Sequence, residues 1–199
     1  SIAPSRFAPP SPVRLSQYGC IHRISNPADG FAMTFDISFQ AYSMVFDVFI
    51  QNIANPADGM FGTYATSMMK RVNVPGVLDL ISRLDIQPGD RVLEICYGPG
   101  YGIEEILRYP ESFAIGVDIS ERMHREASSL NAAPISRGRA ELHVSEARSM
   151  PFLADGSVDR VANFNCCYFW RPLNETLGEV LRVMKPGALL LSGTRFEVA

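Results

Sequence analysis

Two patterns of apolar spacing divide the chain. Tyr42, Val45, Phe46, Phe49, Ile50 and Ile53 recur at three- and four-residue steps, which predicts an amphipathic helix. Further helices are expected from Pro56 towards Arg71 and from Pro75 to Leu84. From Asp85 onward, short β-rich runs alternate with helical stretches. Arg91–Cys96, Phe113–Asp118, Glu141–Val144, Val158–Phe164 and Ala188–Ser192 read as strands; Gly102–Arg108, Glu121–Leu130 and Leu173–Met184 read as helices. This alternation predicts an α/β, doubly wound, mainly parallel sheet covered by helices on both faces.

The first 30 residues follow neither pattern. They hold Pro4, Pro9, Pro10 and Pro12, several serines, Arg6, Arg14 and Arg23, and no acidic residue before Asp29. Such proline density blocks a regular helix. Residues 1–30 therefore read as a flexible, mildly basic arm. A transit peptide is also Ser- and Arg-rich, but it should offer an amphipathic helix, which this stretch does not. Asn26-Pro27-Ala28-Asp29-Gly30 recurs as Asn55-Pro56-Ala57-Asp58-Gly59, two helix starts in which Asn caps and Pro takes the first helical position. The organisation expected is an arm (1–30), N-terminal helices (31–84) covering a ligand or forming a dimer surface, and a sheet-and-helix core (85–199).

Composition narrows the function class. With 199 residues, 47% of them hydrophobic, and a formal charge of -3, the chain is ordinary globular material without the basic footprint of a nucleic-acid binder. No apolar run approaches the roughly 20 residues that span a bilayer. Cys20, Cys96, Cys166 and Cys167 make neither a CxxC pair nor a disulfide framework, so no metal site is expected and a reducing compartment is the simpler reading. That favours the cytoplasm, with a mitochondrial location as the alternative.

The candidate chemistry sits at the first strand-to-helix turn, Glu94-Ile95-Cys96-Tyr97-Gly98-Pro99-Gly100-Tyr101-Gly102. Glycines let backbone approach a ligand, and the helix start offers free N–H groups. The next strand ends in Asp118, where a carboxylate can accept hydrogen bonds from both hydroxyls of a ribose. Asp118 could instead cap the following helix, but Ser120 competes better for that role. The pair points to a nucleoside ligand. A dinucleotide fingerprint needs G-x-G-x-x-G; counting from Gly98, its third glycine falls on Ile103.

At these residues the sequence resembles class I S-adenosylmethionine-dependent methyltransferases, and within them the methyltransferase type 11 group. The resemblance spans about Asn55 to Ser192. It rests on five segments in order: Val92–Gly102, Gly116–Met123, Ser145–Phe152, Asp155–Arg160 and Val183–Leu190. It implies a Rossmann-like fold that binds S-adenosyl-L-methionine and passes its methyl group to a small-molecule acceptor. By the same resemblance, Glu94 lies towards the methionine amino group, and Cys96, Tyr97, Gly98 and Gly100 form the turn against the methionine part. Asp118 holds the ribose, Ile119 and Met123 sandwich the adenine, and Glu146 and Ala147 lie at its edge. Asn165 stands where cofactor meets acceptor, and Asn73 belongs to a segment covering the cofactor. Methyl transfer from a sulfonium needs position and alignment more than a dedicated base, so no catalytic residue is singled out. Tyr168 and Trp170, in an aromatic cluster with Phe169, are candidates for the acceptor pocket. Asn165-Cys-Cys-Tyr168 has the Asn-x-x-Tyr spacing of amino-group methyltransferases without their prolines. His143, on an expected strand, reads as packing.

Two departures from the family pattern stand out. Cys96 occupies the position of the family's first glycine. The fifth strand is followed at once by Ala199, where the family continues with a helix and two strands that form an antiparallel edge. The sheet is therefore expected to lack its last two strands and to leave the fifth as an edge open to pairing, with three explanations open: the chain is a fragment, the N-terminal helices cover the gap, or a second chain does. These departures motivate a second reading, a methyltransferase fold that binds partners with little or no catalysis. A nicotinamide-dependent oxidoreductase is a third, disfavoured by the glycine spacing.

Overall fold

The computed structural model describes residues 13–15, 19–25 and 73–194. Strands β1 (Val13–Leu15) and β2 (Gly19–Ser25) come first. A helix over 73–82, α1, leads into β3 (Arg91–Ile95) and α2 (Tyr101–Ile106). Then come β4 (Phe113–Asp118), α3 (Glu121–Leu130), the short α4 (Ala132–Ser136) and β5 (Ala140–Val144). β6 (Val158–Phe164) is followed by a 3-10 turn at Cys167–Phe169, α5 (Leu173–Val183) and β7 (Met184–Gly193).

These strands form one sheet in the order β1-β2-β7-β6-β3-β4-β5. β3 to β7 run parallel. Side chains alternate across the sheet, so each strand feeds two cores. Val92, Ala114, Ala162 and Leu191 join Leu80, Ile81, Ile103, Met123 and Ala127 of the α1, α2 and α3 layer. Leu93, Ile95, Ile115, Val117, Val161 and Leu190 join Trp170, Val180 and Val183 on the other face. Burial on both faces explains why these strands read as unbroken apolar runs.

The elements expected from Asp85 onward are present with small shifts of boundary. The last strand is the exception. It begins at Met184, directly after α5, and includes Pro186 and Gly187, with a register irregularity between Val158 and Arg160 of its partner β6.

The N-terminal segment departs from the expected arm. β1 pairs with β2 antiparallel, and β2 pairs antiparallel with β7, from Ile21 opposite Gly193 to Ser25 opposite Leu189. Val13–Ser25 contains no proline, so every residue in it can donate its N–H to a ladder. The expectation of an open fifth strand missing its last two neighbours is thus corrected: two antiparallel strands extend the sheet beyond β7, supplied by the N-terminal end of the chain. The Asn-Pro-Ala-Asp-Gly repeat and the helices expected over 42–53 and 56–71 lie outside the described residues. No helix among the described residues is long and apolar enough to cross a membrane.

Candidate functional site

The order of the sheet reverses between β3 and β6, because β3 is followed by β4 on one side while β6 pairs on its other. The loops leaving the carboxyl ends of these strands part there, and an α/β sheet opens its ligand crevice at such a point. A cavity of about 310 Å³ occupies this place.

β3 carries Glu94 to the crevice floor. The side chain is only 4% exposed, and its Oε2 has no hydrogen-bond partner. Burial, reinforced by the nearby Asp118 charge and opposed by the Ile103 amide, pushes the carboxyl up to about 8. A buried carboxyl with an unpartnered oxygen suits a cationic donor such as an ammonium group.

The turn after β3 needs left-handed backbone, with Cys96 at φ 60°, Gly98 at 52° and Gly100 at 88°. The Cys96 N–H donates to the Val117 carbonyl (2.7 Å), so the first residue of the turn still belongs to the ladder with β4. Asp118, at the end of β4, braces this turn. Its Oδ2 accepts from the Gly98 N–H and its Oδ1 from the Ser120 N–H, both at 2.9 Å. Burial raises its pKa, and these amides act against the rise. Ser120 caps α3, its hydroxyl accepting from the Met123 N–H at 3.4 Å, as the sequence predicts. Each Asp118 oxygen keeps a further lone pair with which to accept from a ligand hydroxyl.

The opposite wall comes from β6 and α1. Asn165, at φ 52°, donates from Nδ2 to Asn73 Oδ1 at 3.0 Å, joining the two elements across 92 residues of sequence. Beyond it, Cys166 is fully buried and disulfide-bonded to Cys96, with their Cα atoms 6.2 Å apart. The Trp170 indole N–H donates to the Cys166 sulfur at 3.3 Å. The sequence reading, which set disulfides aside in favour of a reducing compartment, is therefore corrected for Cys96 and Cys166. The pairing joins residues 70 apart in sequence, and only the adjacency of β3 and β6 brings them together. At the remaining side of the crevice, the Ser145 N–H donates to the Asp118 carbonyl (3.0 Å), which sets Glu146 and Ala147 beside the cavity. Arg148 pairs with Glu146.

Of the residues singled out from the sequence, Asn73, Glu94, Cys96, Tyr97, Gly98 and Asp118 line this cavity. So do Ile119, Met123, Glu146, Ala147, Asn165 and Trp170. Gly100 and Tyr168 do not. Gly100 instead caps α2, and a Cβ there would strike Ala127 and Asn131 of the next helical layer. Tyr168 packs its ring on Phe169, centroids 4.5 Å apart, and it is Phe169 that reaches the cavity. His143 stacks on Phe152 at 3.7 Å, away from the crevice lining. The sequence reading passed over Gly102, Arg148, Arg171 and Thr176, which also contribute to the lining. Gly102 carried a signal, since it closes the glycine turn; a Cβ there would lie 2.1 Å from Glu94 Oε1.

Residues 92–187 match the family model of a methyltransferase domain. The chain is 32% identical over 122 residues to 24-methylenesterol C-methyltransferase 2 of Oryza sativa subsp. japonica, an alignment covering 61% of this chain and 32% of the relative. It is 34% identical over 105 residues to malonyl-[acyl-carrier protein] O-methyltransferase 1 of Coxiella burnetii, covering 52% and 33%. The chain thus spans about a third of the length of these two relatives. Among solved structures, a SAM-dependent methyltransferase from Aquifex aeolicus superposes with a TM-score of 0.53 at 22% identity, covering 63% of this chain and 70% of that one. This last likeness concerns the fold.

Proposed function

We propose that residues 92–187, which match the family model of a methyltransferase domain, are a class I S-adenosylmethionine-dependent methyltransferase domain, and that the protein binds S-adenosyl-L-methionine in the β3/β6 crevice and transfers its methyl group to a small-molecule acceptor. The observation that carries this reading is the pairing, in one cavity, of a buried Glu94 oxygen without a partner and an Asp118 carboxylate at the end of the next strand. In this reading Glu94 takes the methionine ammonium and Asp118 the ribose hydroxyls. Ile119 and Met123 lie against the adenine, and Glu146 and Ala147 at its edge. Asn73 and Asn165 close the methionine end. The bound cofactor supplies a methyl group already activated on a sulfonium. The protein's share is then alignment of the acceptor and exclusion of water, for which the Phe169 and Trp170 rings are the candidates.

A second reading, a methyltransferase fold with little catalysis that serves as a binding partner, is favoured by one observation: Cys96 stands at φ 60° where the family resemblance expects glycine. One titration separates the two. Calorimetry of the full chain with S-adenosyl-L-methionine should give micromolar binding, and none with a nicotinamide cofactor. Asp118→Ala should weaken it by about 10- to 100-fold, the equivalent of losing charge-assisted hydrogen bonds, with the unfolding temperature recorded alongside because Asp118 also braces the turn. A folded chain that binds no S-adenosyl-L-methionine would favour the second reading.

A further inference from the structure

The Cys96–Cys166 bond lies in the wall of the proposed cofactor crevice, and nothing in the methyl-transfer reading uses it. We propose that this pair is a reversible thiol–disulfide site, and that its oxidised form is the one competent to bind S-adenosyl-L-methionine. The inference rests on the cofactor reading above.

The position of the bond carries the argument. Cys96 is the first residue of the glycine turn and lines the cavity; Cys166 follows Asn165 on the facing wall. The bond therefore ties together the two loops whose separation sets the width of the crevice. It also fixes where the Cys96 side chain goes. A sulfur bonded to the fully buried Cys166 is held against the core on the Trp170 side. Cys96 has φ 60°, a conformation that glycine adopts freely and other residues do not. The covalent tie holds a side chain in that conformation. Once it is cut, the turn can relax to a right-handed backbone and the thiol can swing towards the methionine part of the crevice.

The chemistry balances with a dithiol reductant as co-reactant. Cys96 is partly exposed and lines the open cavity, whereas Cys166 is buried, so attack falls on the Cys96 sulfur. The S–S bond breaks, Cys166 leaves as thiolate and takes up a proton, and a mixed disulfide remains on Cys96. The Trp170 N–H, 3.3 Å from the Cys166 sulfur, supports the departing thiolate. The second thiolate of the reductant then attacks the mixed disulfide. Cys96 is released as a thiol, and the reductant is oxidised by two electrons to its own disulfide. A Cα–Cα distance of 6.2 Å is within the ordinary disulfide range, so return of the turn to its left-handed conformation brings the two sulfurs back within bonding reach.

The test uses the full chain, oxidised by air or reduced with dithiothreitol. Differential alkylation and peptide mass spectrometry should find Cys96 and Cys166 protected before reduction and labelled after it. Calorimetry with S-adenosyl-L-methionine should then show binding roughly tenfold weaker in the reduced chain. Cys166→Ala should resemble the reduced chain in both conditions. Cys96→Gly, which needs no tie to hold the turn, should bind with an affinity that reductant does not move. Free Cys96 and Cys166 thiols in the oxidised chain overturn the inference. So does equal affinity in the two forms, or tighter binding in the reduced one, while the cofactor reading stands. Absence of binding in every form and in Cys96→Gly removes the cofactor reading itself, and this inference with it.

Discussion

Glu94 shows how a single residue couples stability to function. In the unfolded chain it titrates at an ordinary 4.5, and in the fold burial and Asp118 move it to about 8. The folded state therefore holds this proton more tightly than the unfolded state does. Its contribution to stability is fully present below about pH 4.5 and is lost as pH rises through about 8, because the buried side chain must then carry a charge. Glu94→Gln cannot ionise. Relative to the wild type, the unfolding temperature of the variant without cofactor should rise steadily from about pH 5.5 to about pH 8 and then level off. Each unit of displaced pKa is worth about 1.4 kcal/mol, so the gap should be easily measured. A constant gap across that range would mean that Glu94 is ionised in the fold at neutral pH. The same variant should bind S-adenosyl-L-methionine poorly, since its amide cannot neutralise an ammonium group. Greater stability with weaker binding is the mark of a site whose strain is matched to its ligand.

At the scale of elements, the contact between α2 and β3 limits what the glycine turn can accept. Gly102 begins the buried face of α2 directly over Glu94, and an added methyl would overlap the carboxylate, with the nearest oxygen at 2.1 Å. Gly102→Ala must therefore push α2 off β3 or turn Glu94 out of its place. The expected result is a loss of about 1–3 kcal/mol of stability, in the range of overpacked cores, together with weakened S-adenosyl-L-methionine binding. Unchanged denaturation midpoints and affinity would show that the turn has slack. This level was also the most legible in the sequence. The strands and helices from Arg91 to Gly193 announce themselves because burial on both faces gives apolar runs and because caps such as Ser120 act within one turn of their helix. The glycine turn and Asp118 were equally local, and the structure brings both to one cavity. What could not be read was the part that depends on which neighbours the fold places together in space. Gly102 needed Glu94 beneath it, Tyr168 and Phe169 needed the 3-10 turn that decides which ring reaches the crevice, and Cys96 needed β6 beside β3.

The whole sheet extends that distinction to its limit. β2 and β7 pair Ile21 with Gly193, residues separated by most of the chain, so no local pattern around either one announces the pairing. Proline in the first dozen residues drew attention to disorder, while the proline-free segment after it forms a hairpin. Two antiparallel strands beyond the fifth parallel strand are what the family resemblance leads one to expect; here they enter from the other end of the chain. A sheet edge responds to unpaired N–H and C=O groups, not to the order in which strands are encoded. The hairpin should therefore matter to the molecule as a cover for β7 more than as a contributor to the crevice. A chain beginning at Asn26 should keep the helical and parallel-strand signature of the core by circular dichroism. It should lose monodispersity, forming dimers or larger species by light scattering as β7 edges pair with one another, and this tendency should increase with concentration. Substituting proline for Leu190 in the full chain would be a poor test, because that side chain is buried in the core; removal of the hairpin acts on the edge alone. A truncated chain that stays monomeric at high concentration, with an unchanged unfolding temperature, would show that β7 does not depend on β2 for its cover.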